Sequence, residues 1–255
     1  MHWSEPAYIL SFRAHGEHDA VVSLLTRGQG RYAGLVKGGQ SRRHKGHWQP
    51  GGFITASWRA RLSEQLGNLT GEAQRDYAAA LLESPLGLAA LTSACTLLDS
   101  AVPERMPLPA IYDALANLLP LGPDEADLAR YVWFEISVLQ QLGYGLNLES
   151  CALTGEKHGL AFVSPKTGRA VTRIAAEPWA EKLLPLPRFL TETLIPDWAE
   201  LKQGLELTNY FIARNVAPHL PPATSQRLER HRQRLMDLVE REGLSDSVAK
   251  RLRVV

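Results

Sequence analysis

The stretch GGQSRRHKGHWQPG, residues 38–51, separates two segments in which apolar and polar residues alternate. It begins with Gly38-Gly39 and runs into a second pair, Gly51-Gly52; it contains no acid and shows neither helical nor strand periodicity. Tyr32–Lys37 before it and Phe53–Arg61 after it have the two-residue period of a strand. We therefore predict a long flexible loop between two strands of a small β domain. Loops of this length inside compact domains are usually functional or disordered.

Residues 1–77 contain three further strand candidates, Tyr8–Phe12, Ala20–Thr26 and Leu66–Ala73. The segment RGQGR, residues 27–31, has the glycines of a hairpin connection. Five short strands in so few residues have to close on themselves to avoid bare edges, and the five-stranded OB-fold barrel is the smallest common solution. An SH3-like barrel has nearly the same pattern, and periodicity leaves that alternative open.

From Asp76 onward Ala, Leu and Glu become more frequent and β-branched residues rarer, which indicates a helical domain of the bundle type over residues 78–255. A segment rich in Gly, Ser and Thr, residues 147–175, has strand-like pieces at Leu160–Val163 and Ala170–Thr172 and predicts a small ribbon insertion. The sequence thus predicts a multidomain α+β protein. Its helices are predicted at Asp76–Glu83, Pro85–Ser100, Leu108–Leu119, Asp124–Leu142, Glu177–Leu184, Pro196–Asn215 and Thr224–Glu242.

The bulk composition is that of an ordinary globular chain of 255 residues with a formal net charge of +1. Its two cysteines, Cys95 and Cys151, are too few for a disulfide framework, and Cys95 lies in an apolar helical pattern typical of a core. Its first residues lack the pattern of a signal peptide, and no apolar run approaches the roughly 18 residues of a membrane span. These features predict a cytoplasmic protein that does not enter a membrane.

The charge is unevenly distributed, because residues 20–63 contain eight cations and no Asp or Glu. A local block of one sign indicates a partner of the opposite sign. Tyr32 and an exposed Trp48 are candidate stacking rings, although the core remains an alternative for Tyr32 and is expected for Trp58. Cations beside flat rings suit single-stranded nucleic acid. The predicted nucleic-acid-binding residues are Arg27, Arg31, Tyr32, Lys37, Arg42, Arg43, Lys45, Trp48, Arg59 and Arg61.

Fragments of catalytic motifs do not extend to complete motifs. Lys166–Gly168 lacks the companion motifs of the penicillin-recognising enzymes, and Gly34–Gly39 lacks the spacing of a P-loop. His15–His18 is not a metalloprotease motif, and His44 and His47 lie among cations that oppose a divalent ion. The sequence therefore predicts no catalytic residue, metal or cofactor.

Longer segments carry a resemblance to a known family. They are AYILSFRAHGEHDAVVSLLTRGQGRYAGLVKGGQSRR (residues 7–43), QPGGFITASWRAR (49–61), LGNLTGEA (66–73), LQQLGYGLNLESCALTG (139–155) and GLAFVSPKTGRAV (159–171). In this order they resemble the bacterial recombination mediator RecO over nearly the whole chain. The resemblance implies an N-terminal OB-fold followed by a helical domain.

The resemblance also implies activities and partners. Members of this family bind single- and double-stranded DNA, anneal complementary strands, and help RecA replace single-strand-binding protein. They work with RecR and contact the acidic C-terminal tail of single-strand-binding protein, which implies a nucleoid-associated location. A groove with an exposed arginine in the helical domain is expected to take that tail, and Arg130 and Arg214 are candidates to line it.

The ribbon departs from the family pattern. Many members hold a zinc ion there with four cysteines, whereas this chain has Cys151 with Thr154 at the second position of the first pair, and Ser164 and Thr167 at the second turn. Tetrahedral zinc needs four N or S ligands, and Cys151 with His158 cannot supply them. We predict a metal-free ribbon held by packing.

Two other functions remain as alternatives. An RNA-binding OB-fold module on a helical scaffold, in ribosome or tRNA work, would have the same cations and rings. An unrecognised hydrolase would lose its activity on a single Ser, His or Asp substitution, whereas strand binding should decline gradually as cations are removed.

Overall fold

A computed structural model describes residues 1–41, 46–62, 65–119, 121–122 and 124–252, with side chains through residue 246. By the packing of its backbone the chain divides into two compact units, Met1–Leu121 and Gly122–Val255. The sequence predicts a domain boundary near residue 77, which is where the strands end and the helices begin. The first helices nevertheless belong to the same compact unit as the strands, since that unit extends to Leu121.

The N-terminal unit is built on a closed five-stranded barrel with the strand order β1-β2-β3-β5-β4. This confirms the predicted OB-fold barrel over the SH3-like alternative. All neighbours are antiparallel except β3 and β5, which pair in parallel and close the barrel. The strands are β1 (His2–His15), β2 (Asp19–Thr26), β3 (Gly30–Val36), β4 (Gly52–Arg59) and β5 (Gly67–Asp76).

The barrel closes on alternating side chains, because every second residue of β3 and β4 is buried. Trp58 occupies the centre, and its indole nitrogen donates to the carbonyl oxygen of Ala33 at 3.1 Å. Gly34 and Gly67 face each other at the parallel closure, and a side chain at either would collide with Leu69 or with the Trp58 ring.

Three helices complete this unit: α1 (Tyr77–Ala80), α2 (Pro85–Ala101) and α3 (Pro109–Leu118). The first is shorter than the predicted Asp76–Glu83 at both ends: β5 continues to Asp76, whose carboxylate caps the helix, and residues 81–83 form a turn before Ser84 caps the next helix. Helix α2 packs against β1, where the buried Cys95 thiol lies 3.8 Å from the carbonyl oxygen of Ile9. Cys95 is thus a core residue, as predicted.

The C-terminal unit consists of helices α4 (Glu125–Gln141), α6 (Trp198–Asn215) and α7 (Pro222–Leu252), with a ribbon between the first two. The ribbon is a three-stranded sheet of β6 (Leu160–Val163), β7 (Ala170–Thr172) and β8 (Leu184–Pro185), with the short helix α5 (Arg173–Ala176). Glu177–Lys182 is a 3₁₀ helix, whereas an α-helix was predicted there.

Helix α6 packs against both α4 and α7. Glu135 of α4 is fully buried between them, where it accepts hydrogen bonds from Tyr131 Oη at 2.7 Å and Thr208 Oγ1 at 2.5 Å and forms an ion pair with Arg232 of α7. A buried ion pair needs such additional hydrogen bonds to offset the cost of its desolvation. Within the described residues, none of the helices combines the length and the apolar character required to cross a bilayer.

Candidate nucleic-acid interface

A groove opens on the barrel beside the parallel closure of β3 and β5. The two strands pair at Gly34–Gly67 and Leu35–Asn68, and the groove lies where each strand continues beyond those pairs. It has a volume of about 430 Å³. Its lining residues are Leu35, Val36, Lys37, His47, Trp48, Asn68, Leu69, Thr70 and Gly71.

The groove combines an apolar floor with polar and cationic edges. Val36, Trp48 and Leu69 are buried, and they present apolar surface to it. Lys37 and His47 are exposed at its edge. Asn68 and Thr70, on the outward face of β5, are exposed as well and add hydrogen-bonding groups. Cations beside an apolar recess with amide and hydroxyl groups can hold a phosphate and the flat face of a base together.

A second cation borders the same part of the barrel. Arg59 of β4 pairs with Asn68, which pairs with Leu35 on its other side, so β5 lies between Arg59 and the end of β3. Arg59 is exposed, as is Arg61 just beyond the strand. Within the part of the chain that the structure describes, neither Lys37, Arg59 nor Arg61 forms an ion pair.

The position of Lys37 is fixed by the turn that follows it. The Gly38 N–H donates to the carboxylate of Asp19 at 2.8 Å, and the Gln40 side chain donates to the carbonyl oxygens of Gly16 and Asp19. The 3₁₀ turn Gly46–Trp48 returns the chain to the barrel. The predicted cations Arg42, Arg43 and Lys45 lie outside the described residues.

The hairpin cations are neutralised by acids, and the prediction that they join one cationic side is wrong. Arg27 makes two hydrogen bonds of 3.0 Å to the carboxylate of Asp113, and it holds the pKa of that carboxyl below its usual value. Arg31 is only 14% exposed, and it lies 3.2 Å from Glu104 and 3.8 Å from Asp99. Its Nε donates to the carbonyl oxygen of Val102 at 2.6 Å.

The distance along β3 between the hairpin arginines and Lys37 also places them on different parts of the barrel. Arg27 and Arg31 lie at the start of this strand and Lys37 just after its end. At about 3.3 Å per residue, seven residues span roughly 20 Å. Arg31 thus anchors the barrel to the segment after α2, whereas Lys37 belongs to the groove.

Both candidate stacking rings are buried. Tyr32 is 6% exposed and packs edge-on against Trp3 and Trp58, with the Arg105 guanidinium 5.3 Å from the centre of its ring. This decides the open alternative for Tyr32 in favour of the core. Trp48 is also 6% exposed, so the predicted exposure is wrong, and only its surface toward the groove can contact a ligand. Trp58 is in the core, as predicted.

Sequence reasoning missed Asn68 and Thr70, and it treated His47 only as a polar loop residue. A signal for them was present, because the parallel pairing of the third and fifth strands in an OB-fold places LVK, residues 35–37, beside NLT, residues 68–70. Alternation alone could not provide that signal, since it indicates which residues face inward but not which strands are neighbours.

Cys151 lies in the ribbon, at the position where the resemblance implies a zinc ligand in many members of the family. Cys151 is 1% exposed, and its sulfur accepts the Thr172 N–H at 3.4 Å. Among residues with described side chains, no group of three His, Cys, Asp or Glu is arranged to hold a metal ion. The donor set does not fit tetrahedral zinc, because the position that would supply the partner thiol is occupied by Thr154.

A shallow groove of about 530 Å³ lies on the C-terminal unit, lined by Leu184, Glu206, Asn209, Tyr210, Ala213 and Arg214. Arg214 donates hydrogen bonds to the carbonyl oxygen of Pro165 and to Tyr210 Oη, which fix its guanidinium at the groove. Arg130, the other candidate, forms an ion pair with Asp127 one turn away.

Comparison with known proteins shows the family to which this chain belongs. The model described as "Recombination protein O N terminal" matches residues 1–75, and "Recombination protein O C terminal" matches residues 82–222. The chain belongs to the RecO family. The DNA repair protein RecO of Rhodospirillum centenum is 47% identical over 238 residues, which cover 91% of this chain and 95% of the relative. The DNA repair protein RecO of Granulibacter bethesdensis is 44% identical over 232 residues, covering 88% and 92%. RecO membership supports a role in DNA repair and recombination.

Proposed function

We propose that this chain is a non-catalytic DNA-binding protein of recombinational repair. It binds single- and double-stranded DNA, anneals complementary strands, and helps load RecA onto DNA coated with single-strand-binding protein. The single observation that supports binding is the groove between β3 and β5, where Lys37 lies at the edge of an apolar floor and the exposed Arg59 lies on the other side of β5. Arg42, Arg43 and Lys45 belong to the proposed surface by their place in the chain.

Annealing follows from the kind of contact that such a surface makes. Cations that contact phosphates neutralise the repulsion between two strands and carry no sequence information. The base edges then remain free to pair. The modest net charge of +1 suits this activity, because the product duplex has to be released.

The first experiment measures the affinity for a labelled single strand. In the double variant Lys37→Glu/Arg59→Glu we expect a loss of roughly tenfold or more, because each lost backbone contact removes a term from counterion release. The matched control is Lys157→Glu/Arg173→Glu, which makes the same change of charge at exposed residues of the ribbon. Equal losses in both variants would show a general effect of charge and reject the groove.

A competition experiment separates DNA from RNA. Unlabelled DNA and RNA strands of equal sequence compete with the labelled strand for wild-type protein. A repair protein should prefer DNA or treat both alike, whereas a strong preference for RNA would favour the RNA-binding module.

For partners, we propose that the chain works with RecR and that the groove at Arg214 takes the acidic C-terminal tail of single-strand-binding protein. A fixed guanidinium suits a carboxylate, and Leu184 and Ala213 offer apolar contact. Arg214→Ala should weaken binding of a peptide with that tail, and Arg130→Ala should leave it unchanged. The reverse order of the two effects would place the tail elsewhere.

A further inference from the structure

The first half of helix α7 has two chemically distinct faces. Leu228, Arg232, Leu235 and Val239 recur at helical spacing and are buried. Arg232 points inward with them, since it forms the ion pair with buried Glu135 and donates to Asn209 Oδ1 at 3.0 Å. The positive charge of Arg232 is therefore paired with Glu135 inside the unit and does not contribute to the helix surface.

The other face carries a stripe of cations, which we call the α7 basic stripe. It consists of Arg227, Arg230, His231 and Arg234, at positions i, i+3, i+4 and i+7. At about 100° per residue these four lie within roughly 100° of one another around the helix. Arg230 and Arg234 are exposed, while Arg227 and His231 are half-buried.

These cations are close enough to act on one another. Burial lowers the pKa of His231, and the charges of Arg227, Arg230 and Arg234 lower it further. Two acids of the same helix lie near the stripe. Glu229 lies about 100° from Arg230 around the helix, and Asp237, one turn beyond Arg234, accepts a hydrogen bond from the Gln233 side chain at 2.8 Å.

We propose that the α7 basic stripe is a second surface for the sugar-phosphate backbone of a nucleic acid strand, separate from the groove on the barrel. Its cations recur with each turn, about 5.4 Å apart, so they form a line of positive charge roughly 10 Å long. A nucleic acid backbone presents regularly spaced charge and requires no pocket. An acidic peptide fits less well, because peptide recognition uses apolar anchors in pockets. Among the described side chains of α7, the only large apolar one that is strongly exposed is Leu244, well beyond the stripe.

The stripe gives annealing a second contact. It rests on the proposed function in one respect, namely that the polyanion is a nucleic acid. With one surface on each compact unit, a single chain can hold two strands by their backbones. Both strands would keep their base edges free for pairing.

The test compares three double variants that change charge equally. They are Arg230→Glu/Arg234→Glu in the stripe, Lys37→Glu/Arg59→Glu in the barrel groove, and Lys157→Glu/Arg173→Glu as the control. One labelled strand is bound first, and capture of a second, non-complementary strand is then measured by energy transfer. Annealing of complementary strands is measured alongside, and circular dichroism shows that each variant is folded.

We expect the stripe variant to keep binding to the first strand within a few-fold of wild type. Its capture of the second strand and its annealing rate should fall roughly tenfold or more, whereas the control keeps both. If the stripe variant captures and anneals like wild type or like the control, the inference fails and the proposed function stands. If wild type binds no strand, the proposed function fails.

His231 gives an independent readout within the stripe. Phosphates seated there would offset the repulsion from the three arginines, so the pKa of His231 should rise when a single-stranded oligonucleotide is added. The shift is followed by NMR in the Lys37→Glu/Arg59→Glu variant, with the signal assigned by His231→Gln. An unchanged pKa at saturating oligonucleotide would overturn the inference. So would a rise caused by a poly-glutamate peptide and not by the oligonucleotide.

Discussion

Arg31 and Arg59 both lie in the block of residues 20–63 that contains no acid, but their surroundings in the structure differ. Arg31 is bonded to Glu104 and to the Val102 carbonyl oxygen, whereas Arg59 is exposed beside Asn68. We predict that Arg31→Ala lowers the free energy of unfolding of the N-terminal unit by about 1.5–3 kcal/mol, the usual range for hydrogen bonds to charged groups. Arg59→Ala should change it by less than about 0.5 kcal/mol, as exposed substitutions do.

Urea denaturation of both variants, followed by tryptophan fluorescence, checks this prediction. Trp58 lies in the barrel core and the half-buried Trp3 packs against it, both next to Tyr32, so their emission responds to unfolding of this unit. Equal stability of the two variants would mean that Arg31 does not anchor the barrel. Affinity for a single strand should show the opposite order, with the larger loss in Arg59→Ala.

The sequence could not separate these two arginines. The partners of Arg31 lie about 70 residues later in the chain, and local pattern carries no information on which acid meets which base after folding. The same holds for Trp48, which follows three cations and a glycine but is buried because the 3₁₀ turn Gly46–Trp48 carries it back to the barrel. Alternation, in contrast, correctly placed Trp58 in the core, since a strand with one buried face has a period that can be seen locally.

Cys151 links stability to pH. Burial raises the pKa of its thiol, but hydrogen bonds from the Thr154 side chain and from backbone N–H groups more than offset this and bring the pKa to about 6, from an ordinary value of 9.0. Between these two values the unfolded state binds more protons, so the free energy of unfolding should rise with pH. This contribution is complete above about pH 9 and is lost as the pH falls through about 6.

Denaturant titrations of wild type and Cys151→Ser at several pH values between 6 and 9 measure this contribution. The difference in the free energy of unfolding between the two proteins should grow steadily with pH. A constant difference would mean that the thiol is protonated in the folded protein throughout this range.

At the scale of the element, closure of the barrel depends on the glycines where β3 meets β5. A Cβ at Gly67 would lie 2.3 Å from a ring carbon of Trp58, which is itself enclosed in the core. Gly67→Ala should therefore destabilise the N-terminal unit by about 1–3 kcal/mol, the usual cost of overpacking. Gly46→Ala is the control, because nothing lies within 4 Å of a Cβ there. Similar unfolding midpoints for the two variants would show that the closure can adapt.

The elements themselves were predictable to different degrees. The strands β3 and β4 and the helices α2 and α4 have clear periods and end at glycines or prolines, and their existence followed from the sequence. The first residues of β1, His2–Glu5, gave no such signal, since they are mostly polar and become strand by pairing with β4. The parallel closure, and with it the groove at Asn68 and Thr70, depends on topology that only the OB-fold assignment supplies.

For the whole molecule, the net charge of +1 predicts little interaction with DNA, whereas the distribution of charge predicts a strong one. If about six phosphates are neutralised on a single strand, the logarithm of the affinity should fall with the logarithm of the salt concentration with a slope near −4, at about −0.7 per phosphate. Lys37→Glu/Arg59→Glu should reduce the steepness of that slope by about 1.4, since two contacts are lost. Titrations with a labelled strand at several salt concentrations between about 50 and 300 mM measure both slopes. A flat response of wild type would exclude an electrostatic surface, and an unchanged slope in the variant would place the contacts elsewhere on the chain.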